Sequence, residues 1–227
     1  MITVVVPVLD ERAGIESCLE ALSPLEAMGH ELLFVDGGSA DGTFEILKER
    51  GADVLQSLPG RGRQMNAGAR AARGTGLLFL HADVRLPEGA LPAIQRALVQ
   101  KEWGWFSARL TGTGPLLRTV ERFMTWRSRL TGIATGDQGI FIRRETFVGV
   151  GGYPDVPLME DIRFCRMLKH RRLPSACLPE SVLISSRRWE QNGVLRTILL
   201  MWSLRLAHFL GASSRTLARL YYGGTHP

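Results

Sequence analysis

The chain has 227 residues, 45% hydrophobic and 22% charged, which is the composition of an ordinary globular protein and excludes disorder as its main state. Lys and Arg number 28 against 22 Asp and Glu, a net charge of +6 with arginines concentrated after Arg118, so a phosphate-bearing partner and a plain solubilising surface are both open readings. Scattered Gly and Pro exclude a collagen-like chain, no heptad persists, and three distant cysteines (Cys18, Cys165 and Cys177) exclude a disulfide framework or a zinc cluster. The cysteine usage predicts a reducing compartment, the cytoplasm. The opening MITVVVPVLDER carries no basic region before its short apolar run, so no signal peptide is expected.

The first hundred residues alternate strand and helix. Residues 2–6 are a β-branched run ending at Pro7, a buried strand; apolar residues at helical spacing follow over 14–22. A second strand is expected at 31–35, a helix at 43–50 with Asp41 as N-cap, a short strand at 53–56, and an Ala-rich helix at 64–73. The wholly apolar 77–80 is a fourth strand and 91–99 another helix. This order predicts a parallel sheet with helices on both faces and a ligand beyond the carboxyl ends of the strands. The polar groups after those strands, at 10–12, 36–43 and 81–83, then share one rim. Further on, strands are expected at 106–110, 139–142 and 182–185, and helices at 116–130 and 162–169. The long apolar stretch 194–210 carries Arg196, Arg205 and His208. No Pro/Gly/Ser-rich linker divides the chain.

Five clusters carry candidate chemistry. In VDGGSADGT, Asp36 is placed to accept hydrogen bonds from a base or ribose, and the same letters make a capped turn. PGRGRQMNAG has the look of a basic glycine-rich loop before a helix, but it fits neither the dinucleotide fingerprint nor the Gly-Lys-Ser/Thr phosphate loop. In LLFLHAD, His81 and Asp83 share a face if the strand continues; Asp83 suits Mg²⁺ or Mn²⁺, while His81 is either a second ligand or a structural histidine. Glu160 and Asp161 open a helix as paired carboxylates, fit for a general base or for complementing the helix dipole. Arg187, Arg188 and Trp189 suit a diphosphate and a flat sugar face, or a surface stack.

Taken in order, Pro7 and Glu11, DGGSADGT, GRGRQMNAG, LHAD, MED and RRW resemble the family 2 glycosyltransferases with the type-A fold, over residues 2–189. The wording FLHADVRLP, GDQGIFIRR and SSRRWE is similar to a bacterial subgroup, the radical-SAM/selenodomain-associated transferases, some of which are called arsenosugar biosynthesis glycosyltransferases. The resemblance implies an α/β fold with a mostly parallel central sheet and helices on both faces. It implies that Pro7, Val8, Glu11 and Ala82 line the nucleotide pocket, that Asp36 contacts the base or ribose, and that Arg63 approaches the nucleotide with Gly62 giving clearance. Asp83, with His81 in the place of the first Asp of D-x-D, would bind Mg²⁺ or Mn²⁺. Asp161 would be the catalytic base with Glu160 beside it. Asp137, Arg188 and Trp189 would meet the acceptor or the diphosphate. Ser185 replaces the Gln of Q-x-x-R-W, which implies single transfer rather than processive polymerisation.

The expected reaction is therefore metal-assisted, inverting transfer of a sugar from a nucleoside-diphosphate sugar to a hydroxyl acceptor. Residues 1–190 would form one glycosyltransferase domain, with a nucleotide-binding half at 1–100 and an acceptor half at 101–190, followed by a helical appendage at 191–227. The helix at 194–210 reads as packed on the domain, as a homodimer contact, or as a peripheral contact with the inner membrane face through Trp202, Arg215 and Arg219, the last suiting a lipid-linked acceptor. Nucleic acid is not an expected partner, because carboxylates at the strand ends repel its phosphates. The rival readings are a nucleotidyltransferase on a similar scaffold and an inactive sugar-nucleotide or polyanion binder.

Overall fold

The computed structural model describes residues 1–222, with all side chains among them except those of Arg188, Asn192 and Tyr222. The first half runs β1 (Ile2–Val8), α1 (Arg12–Leu22), α2 (Pro24–Ala27), β2 (Glu31–Asp36), α3 (Thr43–Glu49), β3 (Val54–Gln56), α4 (Arg61–Ala71), β4 (Gly76–Phe79), β5 (Val84–Arg85) and α5 (Ala90–Gln100). The second half runs β6 (Trp103–Leu110), α6 (Pro115–Thr131), β7 (Ile140–Arg143), α7 (Arg144–Val150), α8 (Glu160–His170), β8 (Ser175–Ile184), α9 (Arg187–Asn192), α10 (Val194–Phe209) and α11 (Ser214–Tyr222). The eight strands form one sheet in the order β3-β2-β1-β4-β7-β6-β8-β5.

β1 is buried along its whole length because it lies between β2 and β4, parallel to both. Its side chains alternate between faces. Val4, Val6 and Val8 join α1, α3, α5 and α6 in one core, while Val5 joins α4, α7 and α8 in the other. Pro7 costs the ladder nothing. Val5 gives its carbonyl to Leu80 on the β4 side, and Pro7, two residues on, faces the same edge beyond the last residue of β4. Gly68 of α4 lets that helix lie close on the sheet: a Cβ there would stand 2.3 Å from Val5 Cγ1.

Four pairings are parallel (β1–β2, β1–β4, β2–β3, β6–β8) and three antiparallel (β4–β7, β6–β7, β5–β8), so the sheet is mostly parallel, with β7 running against both neighbours. β8 begins at Ser175, well before the expected 182. Its register against β6 jumps from Phe106–Leu178 to Ser107–Ser181, and Pro179 sits in that bulge, breaking the sequence pattern while the pairing resumes beyond it. The strand ending at Phe79 does not continue through His81 and Asp83, which lie in a turn leading to β5 with the Val84 amide bonded to the His81 carbonyl. The shared-face argument for those two residues is thereby corrected: a turn, not a pleat, sets their directions.

Candidate active site

The loops after β1 and β2 are stitched to each other. Asp10, in the left-handed region at φ 53°, accepts from the Ala40 amide at 2.8 Å and donates its own amide to Ser39 Oγ at 2.9 Å. The Glu11 amide bonds Thr43 Oγ1, and Asp41 accepts both from the Arg12 amide and from the Thr43 amide. Asp36 is fully buried, and its carboxylate accepts from the amides of Gly38 and Ser39 and from Ser39 Oγ at 2.5 Å. It thus shapes its own loop and leaves little capacity for a base or ribose. Gln64 of α4 donates to the carbonyls of Val8 at 2.8 Å and Val35 at 2.9 Å, fastening the helix to the ends of β1 and β2.

The glycine-rich basic segment has a second use. A Cβ on Gly62 would stand 2.8 Å from the Pro154 carbonyl, so the clearance it supplies is for that loop. Arg63 pairs with Asp155 at 2.8 Å on the surface, and Asn66 exchanges two 2.8 Å hydrogen bonds with the backbone of Tyr153. Helix α4 thereby holds the chain just before Met159, which takes φ 67° to turn into Glu160 and Asp161. Arg61, two residues before Arg63, faces the cavity instead. Sequence reasoning passed over Arg61; the start of α4 at that residue, rather than at 64, decides which arginine turns inward.

The cavity, about 510 Å³, gathers Pro7, Glu11, Arg61, His81, Ala82 and Asp83 at the strand end with Gly136, Asp137, Glu160 and Asp161. Val8 is buried beneath it and does not line it. A second cavity of about 550 Å³ shares Glu11, Ala82, Asp83 and Ser185 and adds Arg85 and Arg187. Asp161 accepts from the Gly136 amide at 2.9 Å and from the Ile162 amide at 2.7 Å. Glu160 is 5% exposed, and burial together with the charge of Asp161 pushes its pKa up. Burial and the neighbouring Asp83 likewise raise Glu11.

His81 is held at Nδ1 by Asp137 at 2.9 Å, while a Cβ on Gly136 would stand 2.6 Å from its Nε2. Burial works against its protonation, but the Asp137 hydrogen bond together with the charges of Asp137 and Asp83 raises its pKa. Nδ1 is thus engaged by Asp137 and Nε2 lies against Gly136, which leaves Asp83 the more open donor of the two. No group of three or more His, Cys, Asp or Glu among the described residues is arranged to enclose a metal ion. The exposed carboxylate of Asp83, near Glu11, fits a cation that brings its remaining ligands as phosphate oxygens and water, which is the habit of Mg²⁺.

The far wall is helical. Leu116, Val120, Phe123 and Met124 of α6 face Ile198, Met201 and Trp202 of α10. Trp126, Phe123 and Trp202 form an aromatic row with centroids 5.9 and 5.2 Å apart. Arg127, Arg205 and Trp189 also line the cavity; the Arg188 side chain lies outside the described residues.

Residues 3–146 match the family model described as Glycosyl transferase family 2. A stretch of 95 residues is 36% identical to the PGL/p-HBAD biosynthesis glycosyltransferase of Mycobacterium tuberculosis, covering 39% of this chain and 37% of that protein. Another of 165 residues is 23% identical to the undecaprenyl-phosphate 4-deoxy-4-formamido-L-arabinose transferase of Aeromonas hydrophila, covering 63% of this chain and 48% of that protein. These matches span half or less of the length of the curated relatives. Among solved structures, a mannosyltransferase from Pyrobaculum calidifontis in complex with GDP-Man and Mn²⁺ superposes with a TM-score of 0.65 at 20% identity, over 80% of this chain and 56% of that one. The glucosyl-3-phosphoglycerate synthase from Mycobacterium tuberculosis in complex with Mn²⁺ and UDP-glucose gives 0.60 at 22% identity, over 80% and 69%. The fold is that of the type-A nucleotide-sugar transferases.

Proposed function

The chain belongs to glycosyl transferase family 2, and from that premise we propose that it moves one sugar from a nucleoside-diphosphate sugar to an acceptor hydroxyl, with inversion at the anomeric carbon and a divalent cation assisting. The observation that carries this reading is one cavity in which Asp161, aimed by the Gly136 amide, shares space with Glu11, Arg61 and Asp83 at the strand end. Asp161 takes the proton of the acceptor hydroxyl; the oxygen forms the new bond to the anomeric carbon as the bond to the diphosphate breaks on the opposite face. Glu160, biased by burial to keep its proton, leaves the base role to Asp161. Pro7, Glu11 and Ala82 border the nucleotide, and Arg61 takes the role first given to Arg63. Asp83 would hold Mg²⁺ or Mn²⁺, which supplies positive charge to the leaving diphosphate when bound. Trp189 would border the acceptor. Residues 1–190 form the transferase unit in this reading, and α10 and α11 complete its acceptor wall. The wording of FLHADVRLP, GDQGIFIRR and SSRRWE supports placement in the radical-SAM/selenodomain-associated subgroup.

The test is product analysis with a panel of nucleotide sugars and Mn²⁺ or Mg²⁺. Release of nucleoside diphosphate and a product of inverted anomeric configuration is expected. Release of pyrophosphate identifies a nucleotidyltransferase instead, and retained configuration sinks the single displacement.

No helix among the described residues is long and apolar enough to cross a membrane. On α10, however, Leu195, Leu199, Trp202, Leu206 and Phe209 recur at helical spacing and are 55–74% exposed. We take this stripe, with Arg196 on the same helix, as a peripheral contact with an anionic membrane face. Sedimentation with phosphatidylglycerol vesicles tests it, and a homodimer formed through α10 is the outcome that would replace it.

A further inference from the structure

The helical wall holds two guanidiniums that the reaction above does not use. Arg127 of α6 and Arg205 of α10 both line the cavity. Arg127 Nη1 donates to the Ile133 carbonyl at 3.0 Å, but its Nη2 is buried with no hydrogen-bond partner among the described residues. A buried unmatched donor on a charged group is costly, and a second cation nearby adds to the cost. Burial and the charge of Arg205 push Arg127 down to about 10, and burial lowers Arg205 too. The carboxylates that face the pair are Asp161 and Asp137. Asp161 gives its oxygens to the amides of Gly136 and Ile162, and Asp137 holds His81. The structure therefore places concentrated, partly unmatched positive charge beside the base, at the foot of an apolar gallery formed by Val120, Phe123, Met124, Ile198, Met201 and Trp202. Phe123 is 37% and Trp202 55% exposed, so the gallery runs out to the surface.

We propose that Arg127 and Arg205 bind an anionic group, a phosphate or similar oxyanion, carried by an acceptor whose apolar body lies between α6 and α10. This deepens the glycosyl-transfer reading and rests on it. The donor diphosphate is the competing occupant, but the strand end already offers it Arg61 and Asp83. Charge and shape together ask for an amphiphile: a neutral acceptor leaves the guanidiniums unmatched, and a small anion leaves the gallery to water. Such a group comes either from a free phosphorylated amphiphile or from a phosphorylated lipid headgroup.

Calorimetry on the whole chain tests this with octyl phosphate, octyl glucoside and inorganic phosphate, each below its micelle concentration, and with UDP and GDP in the presence of Mn²⁺. Octyl phosphate is expected to bind at least about tenfold more tightly than either comparator, the difference a hydrogen bond to a charged group makes. Arg127→Met and Arg205→Met are each expected to lose about tenfold or more for octyl phosphate while keeping nucleotide affinity, which also certifies their fold. Methionine fills similar volume and removes a buried charge, so both variants are expected to fold. Phosphatidylcholine vesicles displace bound octyl phosphate only with phosphatidic acid present if the source is a headgroup; no displacement by either assigns a free amphiphile. Equal affinity for octyl phosphate and octyl glucoside, or displacement of octyl phosphate by UDP or GDP, overturns the proposal and leaves the donor site standing. Failure of every nucleotide to bind the unmodified chain overturns both.

Discussion

The strand end of the cavity and its helical wall solve opposite problems. At the strand end the polar groups of the loops already have protein partners: buried Asp36 closes on its own loop, Asp10 and Asp41 tie the β1 loop to the β2 loop at the surface, and Gln64 and Asn66 lock α4 to the chain on either side. Among the helices, Arg127 Nη2 in the cavity and, outside its lining, both nitrogens of His208 and Ser214 Oγ are buried with no partner among the described residues, while leucines and tryptophans of α6 and α10 stand exposed. A site whose polar groups are satisfied beforehand holds a ligand of fixed geometry. A site with unmatched donors beside open apolar surface is completed by what it binds. The sheet end is thus preorganised for a common nucleotide, and the helices carry the selectivity for the acceptor.

The sharpest way to break this comparison is at the hinge between the two regions. Asp161→Asn keeps the shape, and its one amide oxygen can still accept from the Gly136 amide, but it removes the proton acceptor. Transfer is expected to fall by about 10²–10⁴-fold, with nucleoside-diphosphate affinity within about twofold of the parent (a shift of some 0.4 kcal/mol). A rate close to the parent's removes Asp161 from the base role. The next largest effect falls on the preorganised side. Gln64→Leu removes the two hydrogen bonds that fasten α4 to the Val8 and Val35 carbonyls, the former keeping its bond from the Gly37 amide, and is expected to cost about 1–3 kcal/mol. Gly68→Ala, forced against Val5, is expected to cost about as much. Both are read from denaturant midpoints. Stability left intact by both would show that the strand end tolerates the looseness ascribed to the helical wall.

How far each region was legible in the sequence follows from the same contrast. β1, β2 and β4 announce themselves because strands buried on both faces are apolar runs, and the rim after them could be placed at once. β8 hides behind Pro179 and its bulge. The roles of the GRGRQ segment were blurred because helical phase depends on where α4 starts: one turn earlier, Arg61 faces in and Arg63 faces out. His81 resembles a metal ligand in the string LHAD, and only the approach of the turn Gly136–Gln138 shows what holds it. Arg127 and Arg205 carry no mutual signal at all, since they meet through the packing of two helices far apart in the chain. Local pattern reports burial and turns; it does not report which distant polar groups are left unmatched.

A gentler probe of the unmatched side is pH. His208 of α10 is 8% exposed, and burial, with Arg163 and Arg166 of α8 facing it, lowers its pKa below the ordinary 6.5. The folded state therefore binds fewer protons than the unfolded state below 6.5, and stability contributed here is complete above that value and falls as pH drops through it. Amides of α10 and α11 are expected to exchange faster below 6.5, after correction for intrinsic rates, while those of β4 do not change. His208→Leu should abolish the difference. Equal pH response in the two regions would show that the helices are no looser than the sheet.

The smallest expected effect separates two uses of the same basic segment. Arg63 pairs with Asp155 on the surface, with side chains 47% and 63% exposed, and a pair so exposed contributes little to stability. Arg63→Met is therefore expected to leave nucleoside-diphosphate affinity unchanged and stability nearly so, whereas Arg61→Met, removing charge from the cavity itself, weakens nucleotide binding by about tenfold, a loss of some 1.4 kcal/mol. If Arg63→Met is the variant that loses the nucleotide, α4 presents its other face to the ligand. The loop at 152–155 would then have to move away from Gly62 and Asn66 on binding, and the strand end would be assembled by its ligand as the helical wall is.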